Sequence, residues 1–174
     1  GLKVKYLDSD PSPGTAGDVW YNTTSAALKA FIASSAWHSS APLITGRTHL
    51  SGSGTQTAAF AAGGLKPAVA NETEEYDGSS WTAGGDLNTA RSILAAAGSQ
   101  TAGLAFGGLA TTIRNESEEY DGSSWTEGDN LNTARRALGG AGTQTAGLAF
   151  GGSNPTTTEK NETETYDGSS WTEV

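Results

Sequence analysis

The sequence predicts an all-β fold made of repeated units, and two observations carry this prediction. The pattern Glu-x-Tyr-Asp-Gly-Ser-Ser-Trp-Thr occurs three times, at residues 74–82, 118–126 and 164–172. Its first two copies lie 44 residues apart and its last two 46 residues apart, and such a period is the signature of a repeat architecture. The composition agrees, because 24 glycines and only 8% aromatic residues suit closely stacked sheets better than helices.

Other segments of the unit keep the same spacing. A Leu-x-x-x-Arg segment begins each copy, and a Gly- and Ala-rich stretch ending in Gly-Gly follows it. The copies differ mainly in the linkers that come after the double glycine, at residues 65–70, 109–114 and 153–160. The last linker is longer, which explains the longer second spacing.

The middle copy predicts four strands in order. Residues 91–98 and 100–106 are short apolar runs of mostly small side chains, separated by Gly98. In the second run larger side chains alternate with small ones, which predicts a strand buried on both faces between neighbouring sheets. His49, which aligns with the first of these runs, is expected on an inner strand of its own copy.

Two polar strands follow. Residues 116–120 alternate and end in Tyr120, and residues 123–127 carry Trp125 as their one large side chain. Asp121-Gly122 between them predicts a two-residue hairpin turn. The change from small apolar inner strands to polar outer strands is typical of one blade of a β-propeller.

These residues together resemble the kelch repeat, over residues 43–174. The resemblance implies three blades, at 43–82, 87–126 and 131–172, in which the tryptophans pack between blades and the arginines bond carbonyl groups between blades. Its signature residues are the double glycines and Arg47, Tyr76, Trp81, Arg91, Tyr120, Trp125, Arg135, Tyr166 and Trp171. The Tyr-to-Trp spacing is one residue tighter than is usual in that family.

Residues 1–42 are about as long as one repeat and predict an atypical fourth blade, giving about four blades in all. Strands are expected at 2–7, 19–22, 27–32 and 36–39, with a turn-rich connector between the first two. Trp37 precedes Trp81 by 44 residues and therefore occupies the Trp position of a blade. The alternatives are that several chains complete the ring, or that the chain comes from a longer array.

The same N-terminal segment is similar to a module found near the start of many bacteriophage tail and fibre proteins. Marine phage proteins, including those of cyanophages, look similar in joining this module to Ala/Gly-rich kelch-like units. The pairing implies a virion structural protein of the tail or its fibres, with the module at 1–42 and the repeats at 43–174. The residues that carry this resemblance are Gly17, Asp18, Trp20, Tyr21, Asn22, Leu28 and Lys29.

The sequence predicts no catalytic, metal or cofactor site. The chain has no cysteine, and His38 and His49 are its two histidines, without a ligand pattern around them. Clustered acids recur at 72–77 and 116–121, and a glycosidase pair and a calcium site are the alternative interpretations of such clusters. Because they repeat on an outer polar strand, a structural role is favoured.

Recognition is expected in the divergent linkers, since loops held by a rigid scaffold commonly carry it. The candidate residues are Lys66, Arg114, Asn154 and Lys160. Other virion proteins, further copies of the chain and a host-surface glycan are the expected partners. The net charge of −9 argues against nucleic acid, and no apolar run predicts membrane insertion.

The predicted function is therefore that of a non-enzymatic phage virion protein, serving assembly and, as a further role, attachment to a host surface. The alternative is a free-standing, lectin-like β-propeller that binds glycans outside the cell.

Overall fold

The computed structural model describes residues 4–12, 18–30, 39–154 and 159–174, and these residues form an all-β structure without helices. The predicted all-β class is confirmed. The chain divides into two compact units, Gly1–Ser39 and Ser40–Val174.

The N-terminal unit contains one mixed sheet of three strands: β1 (Lys5–Leu7), β2 (Val19–Asn22) and β3 (Ala27–Ala30). β2 and β3 form a hairpin, whereas β1 runs parallel to β2 because the long connection between them crosses over. The first three predicted strands are therefore present. Gly17, Trp37, His38 and nearly all of the predicted fourth strand lie outside the described residues.

Asp10 ties the N-terminal sheet together. One of its carboxylate oxygens accepts hydrogen bonds from Trp20 Nε1 at 3.1 Å and Asn22 Nδ2 at 2.7 Å, and the other accepts one from Lys29 Nζ at 2.7 Å. These contacts, the one from Lys29 foremost, lower the pKa of Asp10. Three signature residues of the N-terminal segment thus bond Asp10, a residue that the sequence analysis assigns to the turn-rich connector.

The C-terminal unit contains three four-stranded antiparallel sheets, one for each repeat, and each is a meander from an inner to an outer strand. The four strands predicted for each repeat are confirmed. The first sheet comprises β4 (Ser51–Thr55), β5 (Ala58–Ala62), β8 (Thr73–Tyr76) and β9 (Trp81–Ala83). The middle sheet comprises β10 (Ala95–Ser99), β11 (Ala102–Phe106), β12 (Ser117–Tyr120) and β13 (Trp125–Glu127). The last sheet comprises β14 (Gly139–Thr143), β15 (Ala146–Phe150), β16 (Thr163–Tyr166) and β17 (Trp171–Glu173).

Each sheet has two different faces. In the middle sheet Gly103 is paired with Tyr120, and Tyr120 with Trp125, so the two rings lie beside a glycine on one face. We call this the Trp face. Leu104 and Phe106 alternate with Gly103 and project from the opposite side, which we call the Phe face. The corresponding residues define the same faces on the first and last sheets.

The sheets stack with the Trp face of one against the Phe face of the sheet before it. The rings of Phe60 and Trp125 lie 5.7 Å apart across the first boundary, and those of Phe106 and Trp171 lie 4.9 Å apart across the second. The inner strand β10 contacts β4 on one side and β14 on the other. Strand β11 is buried on both faces, as the sequence predicts.

The inner strands approach so closely that small side chains are required. A Cβ atom on Gly140 would lie 2.8 Å from the Phe106 ring and 2.9 Å from the Ala96 carbonyl oxygen of the middle sheet. The abundance of glycine and alanine along these strands therefore reflects contact between sheets.

Gly140→Ala is expected to lower the free energy of unfolding by about 1–3 kcal/mol, because the added methyl group overpacks this boundary. Urea denaturation measures the change. Gly46→Ala is the matched control, since a Cβ atom at Gly46 meets nothing within 4 Å. Equal stability of the two variants would contradict the close approach.

The expectation that His49 lies on an inner strand is wrong. His49, Ile93 and Ala137 occupy equivalent bends before the inner strands, with φ of 55°, 55° and 54°. The amide of Ile93 donates to the carbonyl of His49 at 2.8 Å, and the amide of Ala137 donates to that of Ile93 at 2.9 Å. These bonds between repeats offset the strain of a left-handed backbone at non-glycine residues.

The two-residue turn predicted at Asp121-Gly122 is also wrong. Tyr120 and Trp125 form the last pair of the hairpin, so its loop contains the four residues 121–124. Oδ1 of Asp121 accepts hydrogen bonds from the amides of Ser123 and Ser124, both at 2.8 Å. The side chain thereby closes the turn over two extra residues.

Candidate functional site

The repeated arginines are buried and paired with carboxylates. Arg91 donates from Nη2 to Oε1 of Glu118 at 2.8 Å, and both side chains are almost fully buried. Arg135 and Glu164 form the same pair at 2.6 Å in the last sheet, and Arg47 and Glu74 form it in the first. Burial lowers the pKa of the Arg91 guanidinium, and the charge of Glu118 opposes this effect.

The arginine also bonds carbonyl groups, but they belong to its own repeat, so the expectation that these side-chain bonds run between repeats is wrong. Arg91 Nη1 donates to the carbonyl of Glu116 at 2.7 Å within its own repeat. The link to the preceding repeat is made by the backbone, since the Arg91 amide donates to the carbonyl of Ala70 at 3.1 Å. The carboxylate partner was missed, although the glutamate at this position is present in every copy.

The glutamate partner is held by the segment that leads into its sheet. Oε2 of Glu118 accepts bonds from the backbone amide of Asn88 at 2.7 Å and from its Nδ2 at 2.9 Å. Glu164 and Asn132 repeat this arrangement at the same distances. These acids lie on an outer strand, as the sequence predicts, but Glu118 is buried there, and ion pairing and hydrogen bonds compensate the burial of its charge.

The next acid along the strand joins adjacent sheets. The hydroxyl of Tyr166 donates to Glu119 Oε1 at 2.6 Å, and that of Tyr120 donates to Glu75. Burial, with a contribution from Glu75, raises the pKa of Tyr120 to about 12. Burial raises the pKa of Tyr166 as well, with Glu119 adding to the effect.

The tryptophans join the same sheets. Trp125 Nε1 donates to Thr73 Oγ1 at 2.9 Å, and Trp171 Nε1 donates to Ser117 Oγ at 3.4 Å. Both tryptophans are buried, and each packs on the tyrosine of its own hairpin. These contacts agree with the packing role that the sequence predicts. Trp81, in the first repeat, is only half-buried.

The acid of the hairpin turn, Asp77, Asp121 or Asp167, has its own role. Hydrogen bonds from the backbone of Ser124 and from Ser123 lower the pKa of Asp121 from 3.8 to about 2. Bonds from Ser80 and Ser79 lower the pKa of Asp77 to about 2 as well. These carboxylates cap turns and remain charged at neutral pH.

Titration of the Asp121 carboxyl carbon by NMR is expected to show a midpoint near pH 2. Because its pKa is depressed in the folded state, the turn contributes stability above the unfolded value of about 3.9, and this is lost as the pH falls towards about 2. Ser123→Ala removes one donor and should raise the midpoint. A midpoint near 3.9 in the unsubstituted protein would contradict the turn geometry.

The divergent linkers form short hairpins. In the first repeat β6 (Leu65–Lys66) pairs with β7 (Ala68–Val69), and bridges join Leu109 to Ile113 and Ser153 to Glu159 at the equivalent positions. The linker cations pair with the acid that precedes each outer strand. The pairs are Lys66 with Glu72, Arg114 with Glu116 at 3.0 Å, and Lys160 with Glu162 at 2.9 Å.

Lys66 and Arg114 lie in the linkers of the first and middle repeats, and Asn154 and Lys160 lie at the two ends of the last linker. Residues 155–158, between these two, lie outside the described ranges. Half-exposed ion pairs hold the linkers against their own sheets.

A depression of about 310 Å³ lies between the inner hairpin turns of the middle and last sheets. Its lining includes Gly98, Ser99, Thr143 and Gln144, which carry no charge. Gln144 Nε2 donates to the carbonyls of Gly103 at 3.0 Å and Tyr120 at 2.9 Å, both in the preceding sheet. This glutamine serves to join the sheets.

Within the described ranges, no group of three or more His, Asp or Glu side chains is arranged to hold a metal ion. No membrane-spanning helix occurs in the part of the chain that the structure describes. No protein-family model matches the chain, and neither does any curated protein. The geometry of the stacked sheets and their linkers thus carries the functional argument.

Proposed function

We propose that this chain is a non-enzymatic structural protein of a phage virion, located in the tail or a tail fibre. Its repeats are kelch-like and act as blades of a β-propeller. The observation that carries the proposal is the joining, in one chain, of a small N-terminal sheet built around Asp10 to a row of near-identical stacked sheets.

The use of the repeated acids supports a structural role. Glu118 neutralises a buried arginine, Glu119 accepts a bond from the next sheet, and Asp121 caps a turn. Each position has the same role in another repeat. Side chains that a catalytic interpretation would need are thus committed to holding the sheets together.

The linkers are the surface on which the repeats differ. Their short hairpins follow a rigid double-glycine bend and are held by ion pairs, as in Arg114 with Glu116. Such preorganised loops lose little conformational entropy on binding. We therefore assign contacts with other virion proteins, and with a host-surface glycan, to the three linkers.

Immunogold electron microscopy tests the proposal. Antibodies raised against the purified chain are expected to label the tails of phage particles purified from a lysate in which mass spectrometry detects the chain. Antibodies preabsorbed with the chain are the control. Recovery of the chain only in the soluble fraction, with unlabelled particles, would contradict a virion role.

A further inference from the structure

The row of three sheets ends in two unmatched faces. On the last sheet Phe150 is 43% exposed, whereas the equivalent Phe106, covered by the last sheet, is 0% exposed. On the first sheet Tyr76 and Trp81 are half-buried, whereas their equivalents in the other sheets are buried. The Phe face at one end and the Trp face at the other are therefore less covered than the same faces inside the row.

The two internal boundaries show what such faces bind. The same four backbone hydrogen bonds, 2.8 to 3.1 Å long, cross each boundary in addition to the side-chain contacts. At the first boundary they run from Gly64 N to Arg91 O, Leu87 N to Asn71 O, Arg91 N to Ala70 O and Ile93 N to His49 O. At the second they run from Gly108 N to Arg135 O, Leu131 N to Asn115 O, Arg135 N to Arg114 O and Ala137 N to Ile93 O.

Each end of the row carries the backbone groups that form one side of such a boundary. None of the eight equivalent backbone groups has a hydrogen-bond partner among the described residues. The last repeat presents the amide of Gly152 and the carbonyls of Ala137, Lys160 and Asn161, and the first repeat presents the amides of Leu43, Arg47 and His49 and the carbonyl of Arg47. Donors at one end thus correspond to acceptors at the other.

We propose that the Phe face of the last sheet binds the Trp face of the first sheet in a second copy of this chain. Trp81 of the second copy packs on Phe150 and donates from Nε1 to the hydroxyl of Thr163, as Trp171 does to Ser117. Thr165 stands where the other sheets have Glu75 and Glu119, and the Tyr76 hydroxyl already bonds Ser40 Oγ of its own chain, so this boundary lacks the tyrosine–carboxylate bond. The contact is therefore weaker than an internal boundary.

A second copy is favoured over residues 1–42 as the occupant. The N-terminal sheet is mixed and three-stranded, whereas a second copy presents the same kind of sheet that covers each internal Phe face. Head-to-tail contacts of this kind close into rings or extend into filaments. Because propellers have about 4–8 blades, two copies with three sheets each are the number that closes one ring.

This count of two rests on the proposed propeller, whereas the head-to-tail contact rests only on the two faces. Light scattering coupled to size exclusion tests both on the full chain. The unsubstituted protein is expected at twice the chain mass of 17.7 kDa. Phe150→Glu and Trp81→Glu are each expected at the mass of one chain, because each removes one half of every contact.

Mixing the two variants is the decisive measurement. Each retains the face that the other has lost, so the mixture is expected to recover a dimer with one contact, while neither variant dimerises alone. Leu28→Glu, at a position that is 65% exposed in the N-terminal sheet, is the control and should leave the dimer unchanged. Circular dichroism melting checks folding, and Phe150→Ser or Trp81→Ser replaces the glutamate variant at the same position if that variant fails to fold.

Three results would overturn the proposal. The unsubstituted chain could remain monomeric at about 100 μM, which excludes a contact of useful strength. One variant could dimerise alone, which would indicate association through like faces. The mixture could fail to associate. The unsubstituted chain could also form assemblies of more than two copies, which Phe150→Glu and Trp81→Glu both reduce to single chains. That result would overturn the closed dimer and the six-sheet ring.

Discussion

Glu118→Ala is expected to lower the free energy of unfolding by about 3–5 kcal/mol, because it leaves the buried guanidinium of Arg91 without its counter-charge. Arg91 and Glu118 are 0% and 2% exposed, so solvent cannot take over the role of the carboxylate. The substitution also removes the acceptor for the amide of Asn88. Urea denaturation at a fixed protein concentration measures the loss.

Glu116→Ala is the matched control on the same stretch of chain. Glu116 pairs with Arg114 through side chains that are partly exposed, and its loss should cost no more than about 1 kcal/mol. Replacing Arg91 and Glu118 together by Met and Leu should cost less than Glu118→Ala alone, since no buried charge is left unpaired. Equal costs for Glu118→Ala and Glu116→Ala would contradict the burial of the first pair.

The strands and their order could be predicted because the signals for them are local. The alternation in residues 102–106 and the glycines around it suffice to place a buried strand. The same local pattern could not locate the turn at 121–124, where Asp121 bonds two later amides. A side chain that competes for backbone donors lengthens a turn without changing the apolar pattern.

The roles of the acids could not be predicted, because they depend on contacts far along the chain. Glu118 and Glu119 are adjacent and chemically identical, yet one faces Arg91 and the other faces Tyr166. Strand alternation places them on opposite faces, and only the stacking of the sheets gives each face a partner. Asp10 in the N-terminal sheet is a second case, since its partners lie 10 to 19 residues away.

Identical sequence does not ensure identical burial in this protein. Strands β11 and β15 both read Ala-Gly-Leu-Ala-Phe, yet β11 is buried along most of its length while β15 ends in an exposed phenylalanine. The difference arises because β11 has a following sheet and β15 has none among the described residues. The sequence therefore predicts the kind of face that each repeat presents, and the row of sheets determines which faces are left exposed.

Trp125→Ala is expected to cost about 3–5 kcal/mol of unfolding free energy, as is usual when a buried tryptophan is truncated. The Trp125 ring lies 5.7 Å from Phe60 in the preceding sheet and 4.8 Å from Tyr120, and its Nε1 donates to Thr73. The substitution opens a cavity at the first boundary and leaves the hydroxyl of Thr73 without its donor. An unchanged melting temperature would contradict this packing role.

Trp81→Ala distinguishes the packing of a tryptophan within its own sheet from its packing against a neighbouring sheet. Trp81 follows the same kind of turn and packs 5.1 Å from Tyr76, but it is only half-buried. In a Phe150→Glu background, which removes the proposed contact between copies, its truncation should cost only about 1–2 kcal/mol. In the unsubstituted background the cost should rise with protein concentration. If the loss of unfolding free energy caused by Trp81→Ala depends on Phe150, the residues that cover Trp81 belong to a second copy. If the loss is the same in both backgrounds, those residues belong to the same chain.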